Sequence, residues 1–200
     1  MKKLYINASP RWDYSYSKVL ADYIDQKIDW ETKYIDLIWE YVPFLTNEML
    51  AYNYSYIWED DLSEEGKTNI ASQNKFIEDL LEADVLIISV PMWNFSMPAV
   101  LKAYFDLIAK AQVTFKIGEN GFEGLVKNIK KSYVVWARGG KFIWTEIESM
   151  DFLSPEINTM LSFLWIENNK SFWLEWTAMM QKEALQEEID RLKEDIDKVL

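Results

Sequence analysis

Two hundred residues are enough for a single domain, 1–200, with a sizeable core, and with half of them hydrophobic and 27% charged a disordered chain is excluded. The formal charge of −12 argues against nucleic acid and against an anionic membrane surface as partners, and no apolar run approaches the roughly 18 residues of a membrane span, so a cytoplasmic protein is expected. Cysteine and histidine are both absent while tryptophan occurs ten times, which removes thiol chemistry, disulfides, Ser-His nucleophiles and the usual zinc sites.

Residues 3–8 (K-L-Y-I-N-A) read as a buried first strand, following Met1 and Lys2 with no signal-sequence character. A polar loop, S-P-R-W-D-Y-S-Y-S over 9–17, leads into a helix with Val19, Leu20, Tyr23, Ile24 and Ile28 on one face. Residues 32–37 form the second strand. The segment 39–61 is crowded with Trp39, Tyr41, Phe44, Tyr52, Tyr54, Tyr56 and Trp58; weak in periodicity, it reads as irregular or partly helical, a lid or an interface. Residues 63–82 are helical, with Ile70, Ile77, Leu80 and Leu81 inward.

The run 85–90 is continuous, branched and apolar, the pattern of a strand covered on both faces. From Ser96 the period changes. Val100, Leu101, Tyr104, Phe105 and Ile108 fall at helical spacing, with Ser96 placed to cap and Pro98 tolerated in the first turn. Residues 111–126 are a turn-rich excursion around G-E-N-G. The fourth strand, 132–137, ends at Arg138-Gly139-Gly140. A helix over 154–164 and a fifth strand over 171–176 come next, and a helix over 178–200 closes the chain. Its stripe of Leu185, Ile189, Leu192, Ile196 and Val199 suits packing on a sheet better than a coiled coil.

Strands alternating with helices predict an α/β fold: a five-stranded parallel sheet with helices on both faces, a three-layer sandwich. Five strands favour the flavodoxin-like order, although a truncated Rossmann sheet has the same spacing. In either, ligands bind at carboxyl-end turns, and three of these are unusual. Ser9, Ser15 and Ser17, with the N–H groups of a helix start, make an anion site; an ordinary capped helix reads the same way. Pro91, Met92, Trp93, Asn94 and Phe95 offer a flat apolar wall and an amide that donates and accepts, suited to a planar ligand, or else two core aromatics. Ala137, Arg138, Gly139 and Gly140 give close backbone approach, two donors and a guanidinium beside them, or simply a turn. With no His or Cys, a Ser-Lys or carboxylate pair stays open for catalysis, and a cofactor carrying the reactive atoms is more attractive.

The stretches S-P at 9–10, P-M-W-N-F-S-M-P-A-V-L-K-A-Y-F-D at 91–106, V-T-F-K-I-G-E-N-G-F-E-G-L-V at 113–126 and A-R-G-G at 137–140 closely resemble the FMN-dependent NADH:quinone oxidoreductases known as azoreductases, most strongly over 83–140. The resemblance implies a flavodoxin-like homodimer with one FMN per subunit near the interface. NADH or NADPH reduces the flavin and leaves, and a quinone or azo compound is then reduced in the same site. Ser9, Ser15, Tyr16 and Ser17 match the phosphate loop, Pro91 to Phe95 the segment along the isoalloxazine, and Ala137 to Gly140 the loop at the pyrimidine side.

No catalytic side chain and no metal are implied. Hydride passes at flavin N5, while Asn94, Gly139 and Gly140 tune the flavin. An acidic chain with few arginines points to NADH over NADPH. Departures from the family cluster on the substrate side: Ile117 where Tyr is frequent beside the flavin face, Phe122 where Pro is common, Trp165 where a Phe-x-Gly pattern has glycine, and K-F-I-W at 141–144 in place of a Gly-Pro loop. The added indoles motivate a second reading, a flavin-binding or redesigned scaffold with an occluded pocket. A third is an interaction module using the acidic aromatic segment.

Overall fold

A computed structural model describes residues 1–11, 14–119 and 121–200. In chain order the elements are β1 (Lys2–Asn7), α1 (Tyr16–Lys27), β2 (Glu31–Asp36), α2 (Asn47–Asn53), α3 (Glu64–Glu82), β3 (Val85–Pro91), α4 (Ala99–Ile108), β4 (Phe115–Gly118), β5 (Gly121–Gly124), β6 (Lys131–Ala137), α5 (Leu153–Phe163), β7 (Asn169–Leu174) and α6 (Lys182–Asp197). Short 3₁₀ turns lie at Glu59–Asp61 and Glu148–Met150.

Five strands pair in parallel in the order β2-β1-β3-β6-β7. This is the flavodoxin order, with the chain reversing direction across the sheet between β1 and β3. Alternate residues of each strand feed two cores, as the period of two requires. Leu4, Ile6, Leu86, Ile88, Val90, Val134 and Trp136 face α3, α4 and α5, while Tyr5, Val85, Ile87, Tyr133, Val135 and Phe172 face α1 and α6. The three expected layers are present.

Local chemistry accounts for the helix ends. Ser63 caps α3 by accepting from the Gly66 N–H at 2.9 Å, and Thr46 caps α2 through the Met49 N–H at 3.2 Å. Lys3, buried at the foot of β1, donates at 2.6 Å to the carbonyls of Asp25 and Ile28 and pairs with Asp25 at 2.7 Å, placing a cation at the C-terminal end of α1. On α6 the residues Leu185, Ile189, Leu192 and Ile196 are buried against the sheet, each contributing about 1.5–3 kcal/mol of transfer free energy. The expected closing helix is thus present on the sheet face, but it starts at Lys182, after a turn over 176–180.

Several expectations need correction. Ser96 does not cap α4: the N-cap is Pro98, and the Ser96 hydroxyl donates to Glu156 at 2.7 Å. The cause lies upstream, where Asn94 (φ 48°) and Phe95 (φ 72°) are left-handed and a Trp93–Ser96 bridge closes a turn that ends before the helix begins. Val19 and Leu81 are exposed at the margins of their helical faces. The excursion 111–126 contains an antiparallel hairpin, β4 with β5, whose Phe115 and Phe122 pack on Phe163 of α5 at 4.8 and 5.5 Å between ring centroids. The last strand lies two residues earlier than expected, so Glu175 and Trp176 fall beyond it. The segment 39–61 is partly helical, with Trp39, Phe44, Tyr56 and Trp58 exposed.

Candidate functional site

The carboxyl ends of β1, β3 and β6 stand side by side and are stitched together beyond the strands. The Ala8 N–H donates to the Ser89 carbonyl and the Met92 N–H to the Ala137 carbonyl, both at 2.9 Å. Over these ends lies a cleft of about 350 Å³, within the ordinary range of small-ligand sites. Eight of the expected residues line it: Ser15, Tyr16, Pro91, Met92, Trp93, Ala137, Arg138 and Gly139. Arg11, Thr177 and Ala178 line it too and were missed.

At the first loop, Ser15 is the N-cap of α1, its hydroxyl accepting from the Lys18 N–H at 3.3 Å. The ordinary capping role is therefore real, and it does not exclude the other. Among the described residues the N–H groups of Tyr16 and Ser17 have no partner, and they open the first turn of a 12-residue helix. Ser9 and Ser17 lie behind the cleft wall. The Ser17 hydroxyl sits between those of Ser15 and Ser89, at 3.1 Å from each, and Ser9 shares hydrogen bonds with Asn7. Of the expected anion-site residues 9, 15, 16 and 17, only Ser15 and Tyr16 reach the cleft surface. Trp12 and Asp13 of the same loop lie outside the described residues.

At the second loop, Trp93 presents half its surface beside Pro91 and Met92 as a flat apolar wall. Asn94 and Phe95 are exposed at the rim rather than in the lining, and the left-handed backbone carries them there. The Asn94 amide makes no hydrogen bond among the described residues. Phe95 touches Phe142 edge-on at 6.3 Å, and its carbonyl accepts from the Phe152 N–H at 3.0 Å.

The third loop is organised by the residues just beyond β7. The Trp176 N–H donates to the Gly140 carbonyl (2.9 Å), the Thr177 N–H and hydroxyl to the Arg138 carbonyl (3.2 and 3.1 Å), and the Ala178 N–H to the Gly139 carbonyl (3.3 Å). Three successive carbonyls are thereby occupied, while the N–H groups of Gly139 and Gly140 have no partner among the described residues. A Cβ on Gly139 would stand 3.3 Å from the Ala178 Cβ, so the glycine lets the two loops close on each other.

The Arg138 guanidinium does not stand beside these donors as expected. It is turned inward with only 1% of its side chain exposed, pairing with Asp151 at 2.6 Å and Glu175 at 3.1 Å and lying over the Phe142 ring at 5.2 Å. Glu175 also accepts from the N–H groups of Phe142 and Ile143 at 2.8 and 3.2 Å. Burial by itself would raise the Asp151 carboxyl, but hydrogen bonds from Ser154 and Arg138 together hold it below the usual carboxylate range. The arginine thus ties the ends of three loops, and only its backbone faces the cleft. A buried, charge-balanced arginine followed by two glycines was legible as a turn; its two carboxylates, 13 and 37 residues on, carried no sequence signal.

Of the described tryptophans only Trp93 lines the cleft; Trp144 and Trp176 stand in the neighbouring loops with their rings toward solvent. Gly140 and the flavin-face departures Ile117 and Phe122 are also outside the lining, the latter two exposed on the β4–β5 hairpin. No helix among the described residues is long and apolar enough to cross a membrane.

Known proteins share this architecture. A family model described as a flavodoxin-like fold matches residues 1–200. The FMN-dependent NADH:quinone oxidoreductase of Burkholderia pseudomallei (strain 1710b) is 34% identical over 181 residues, covering 88% of each chain. An azoreductase from Bacillus anthracis str. Sterne superposes with a TM-score of 0.87 at 26% identity, over 100% of this chain and 98% of that one. An FMN-dependent NADH-azoreductase from Bacillus anthracis str. Ames Ancestor, solved in complex with FMN, superposes with a TM-score of 0.86 at 25% identity, over 99% and 98%.

Proposed function

Because the chain belongs to the flavodoxin-like family of FMN-dependent NADH:quinone oxidoreductases, we propose that it is an FMN-dependent reductase that takes hydride from NADH and passes it, in a second half-reaction at the same site, to quinones or azo compounds. The observation that carries this reading is the meeting of three strand-end loops in one cleft whose backbone donors have no partner among the described residues.

The residues present fit the cofactor. A phosphate is suited by the N–H groups of Tyr16 and Ser17, which have no partner among the described residues, by the Ser15 hydroxyl and by the positive end of α1, with the exposed Arg11 beside them. A flat ring system is suited by the Trp93, Met92 and Pro91 wall, and its polar edge by the Gly139 and Gly140 N–H groups. FMN supplies, when bound, a hydride acceptor and donor that a chain without His or Cys lacks.

The protein's own part is positional. Trp93 and Met92 exclude water from one face, Thr177 and Ala178 close the side next to Gly139, and the Arg138–Asp151–Glu175 cluster holds the glycine amides in place. Donors fixed in this way favour a build-up of negative charge at the edge they face, which is the charge that reduction creates. Arg138 adds no positive charge to the cleft, because the two carboxylates that face it more than offset its own.

The family's site is shared between subunits, and the exposed Ile117 and Phe122 supply apolar surface for such a homodimer. The single domain 1–200 is a cytoplasmic enzyme in this reading. Protein saturated with FMN is titrated anaerobically with NADH, followed by a quinone. Bleaching of the visible flavin absorbance and its return with quinone are expected. A flavin that stays oxidised under NADH ends the reductase reading and leaves the flavin-binding scaffold. Sedimentation at micromolar concentration tests the dimer, and a monomer contradicts it.

A further inference from the structure

Seven non-glycine residues among those described have left-handed backbone, and three of them are tryptophans: Trp144 (φ 58°), Trp165 (φ 72°) and Trp176 (φ 62°). A residue type that fills ten of 200 positions supplies three of these seven. For a bulky L-residue this conformation is an outlier, since its Cβ crowds the following carbonyl. The other four are Ser55 and Asn94, small or amide side chains that tolerate it better, Gln112, and Phe95, which lies in the turn closed by the Trp93–Ser96 bridge.

Two of the three, Trp165 and Trp144, sit where a local motif calls for glycine. Trp165 follows the C-cap of α5: its N–H donates to the Ser162 carbonyl (3.0 Å) and the Ile166 N–H to the Leu161 carbonyl (2.8 Å). Those two bonds are the Schellman pair, and the residue between them is the one glycine ordinarily fills. Trp144 is the third residue of a turn closed by the Thr145 N–H on the Phe142 carbonyl (3.1 Å), the position where positive φ again selects glycine. Trp176 begins a tight turn, its carbonyl accepting from the N–H groups of Met179 and Met180 at 3.0 and 3.1 Å while its own N–H holds Gly140.

Nor do the indoles compensate in full. Trp144 is 90% exposed, so little burial offsets its backbone cost, whereas Trp165 and Trp176, exposed by 45% and 47%, recover part of theirs by burying about half the ring. The composition leans the same way: six glycines in 200 residues is under half the usual share of about 7%.

We infer that positions 144, 165 and 176 are glycine positions of this fold, and that the chain made in its own host carries glycine there. The codon behind them is then one that some genetic codes read as tryptophan and others as glycine, as UGA is read. The consequence for the cleft is direct. The loops on either side of Arg138–Gly140 lose two projecting indoles, and the approach to the site is wider than the tryptophan-bearing chain presents.

Three measurements test this. The gene is expected to carry UGA at all three positions; UGG there overturns the inference. Peptide mass spectrometry on the protein from its host is expected to show each of the three peptides lighter by the difference between an indolylmethyl group and a hydrogen atom; unshifted masses overturn it. Independently of the gene, Trp144→Gly, where almost no burial is lost, is expected to lower the fraction unfolded about two- to fivefold, the left-handed cost relieved less the added freedom of the unfolded glycine. The control is Trp58→Gly, comparably exposed but at φ −108°, which is expected to raise it. A Trp144→Gly variant no more stable than the control overturns the structural premise.

Discussion

Replacing Arg138 by methionine removes the cation from a cluster in which it is 1% exposed and its carboxylate partners Asp151 and Glu175 are 12% and 13% exposed. The methionine fills most of the volume, so the cost is chiefly that of two nearly buried carboxylates left without their counter-charge. Breaking a buried pair in this way costs about 3–5 kcal/mol, and at 2–4 °C per kcal/mol for a chain of this size Tm falls by roughly 6–20 °C.

The pH dependence separates this from a packing defect. In the parent the Asp151 carboxyl is held below its usual range, so its stabilisation is present above the unfolded value and is lost as pH falls through the folded one. Without Arg138 the burial of Asp151 is opposed only by the Ser154 hydrogen bonds, so its folded carboxyl rises and the deficit is largest near pH 8 and shrinks toward pH 5. Urea denaturation of Arg138→Met at both pH values measures this, with Arg138→Met/Asp151→Asn/Glu175→Gln as the charge-free reference that recovers part of the loss. A deficit below about 1 kcal/mol, or one that is the same at both pH values, refutes the argument.

Other outcomes follow from the same geometry. Ser15→Ala removes the α1 cap and a hydroxyl that lines the cleft: stability falls by about 1 kcal/mol, and the proposed phosphate role predicts that FMN binding weakens while riboflavin binding, measured by fluorescence quenching, changes little. Gly124→Ala places a Cβ against the backbone of Phe163, Leu164 and Trp165, which cannot step aside as a side chain would; a loss of about 1–3 kcal/mol is expected by thermal melt. Ile196→Ala, at a fully buried position on the inner face of α6, costs about 2–5 kcal/mol in urea denaturation, which tests whether the closing helix is integral to the sheet face.

The fold was legible where burial is two-sided and continuous. The run around Ile87 and Ile88, and the stripe from Leu185 to Ile196, each specify an element because water is excluded on a fixed period. What the sequence hid was set by distant partners. Ser96 looked like a cap because serine caps helices, but Glu156, sixty residues on, holds its hydroxyl. Arg138 looked like a ligand-facing charge because exposed loops usually carry such charges, yet Asp151 and Glu175 pull it inward. Thr177 and Ala178 had no signature at all: their role rests on backbone N–H groups aimed at Arg138 and Gly139, which any residue but proline could supply. The site was legible as three loops, and its fourth side was not.

That fourth side has a bearing on how the protein is born. The peptide bonds that cover the carbonyls of residues 138–140, and the carboxylate of Glu175 that steadies Arg138, are all encoded beyond β7. A chain emerging from the ribosome and halted before residue 169 holds four of the five sheet strands and none of this closure. Closure of the cleft is therefore a late event of biosynthesis, and a protein truncated before Glu175 forfeits the cleft's last wall together with the α6 stripe that covers one face of the sheet.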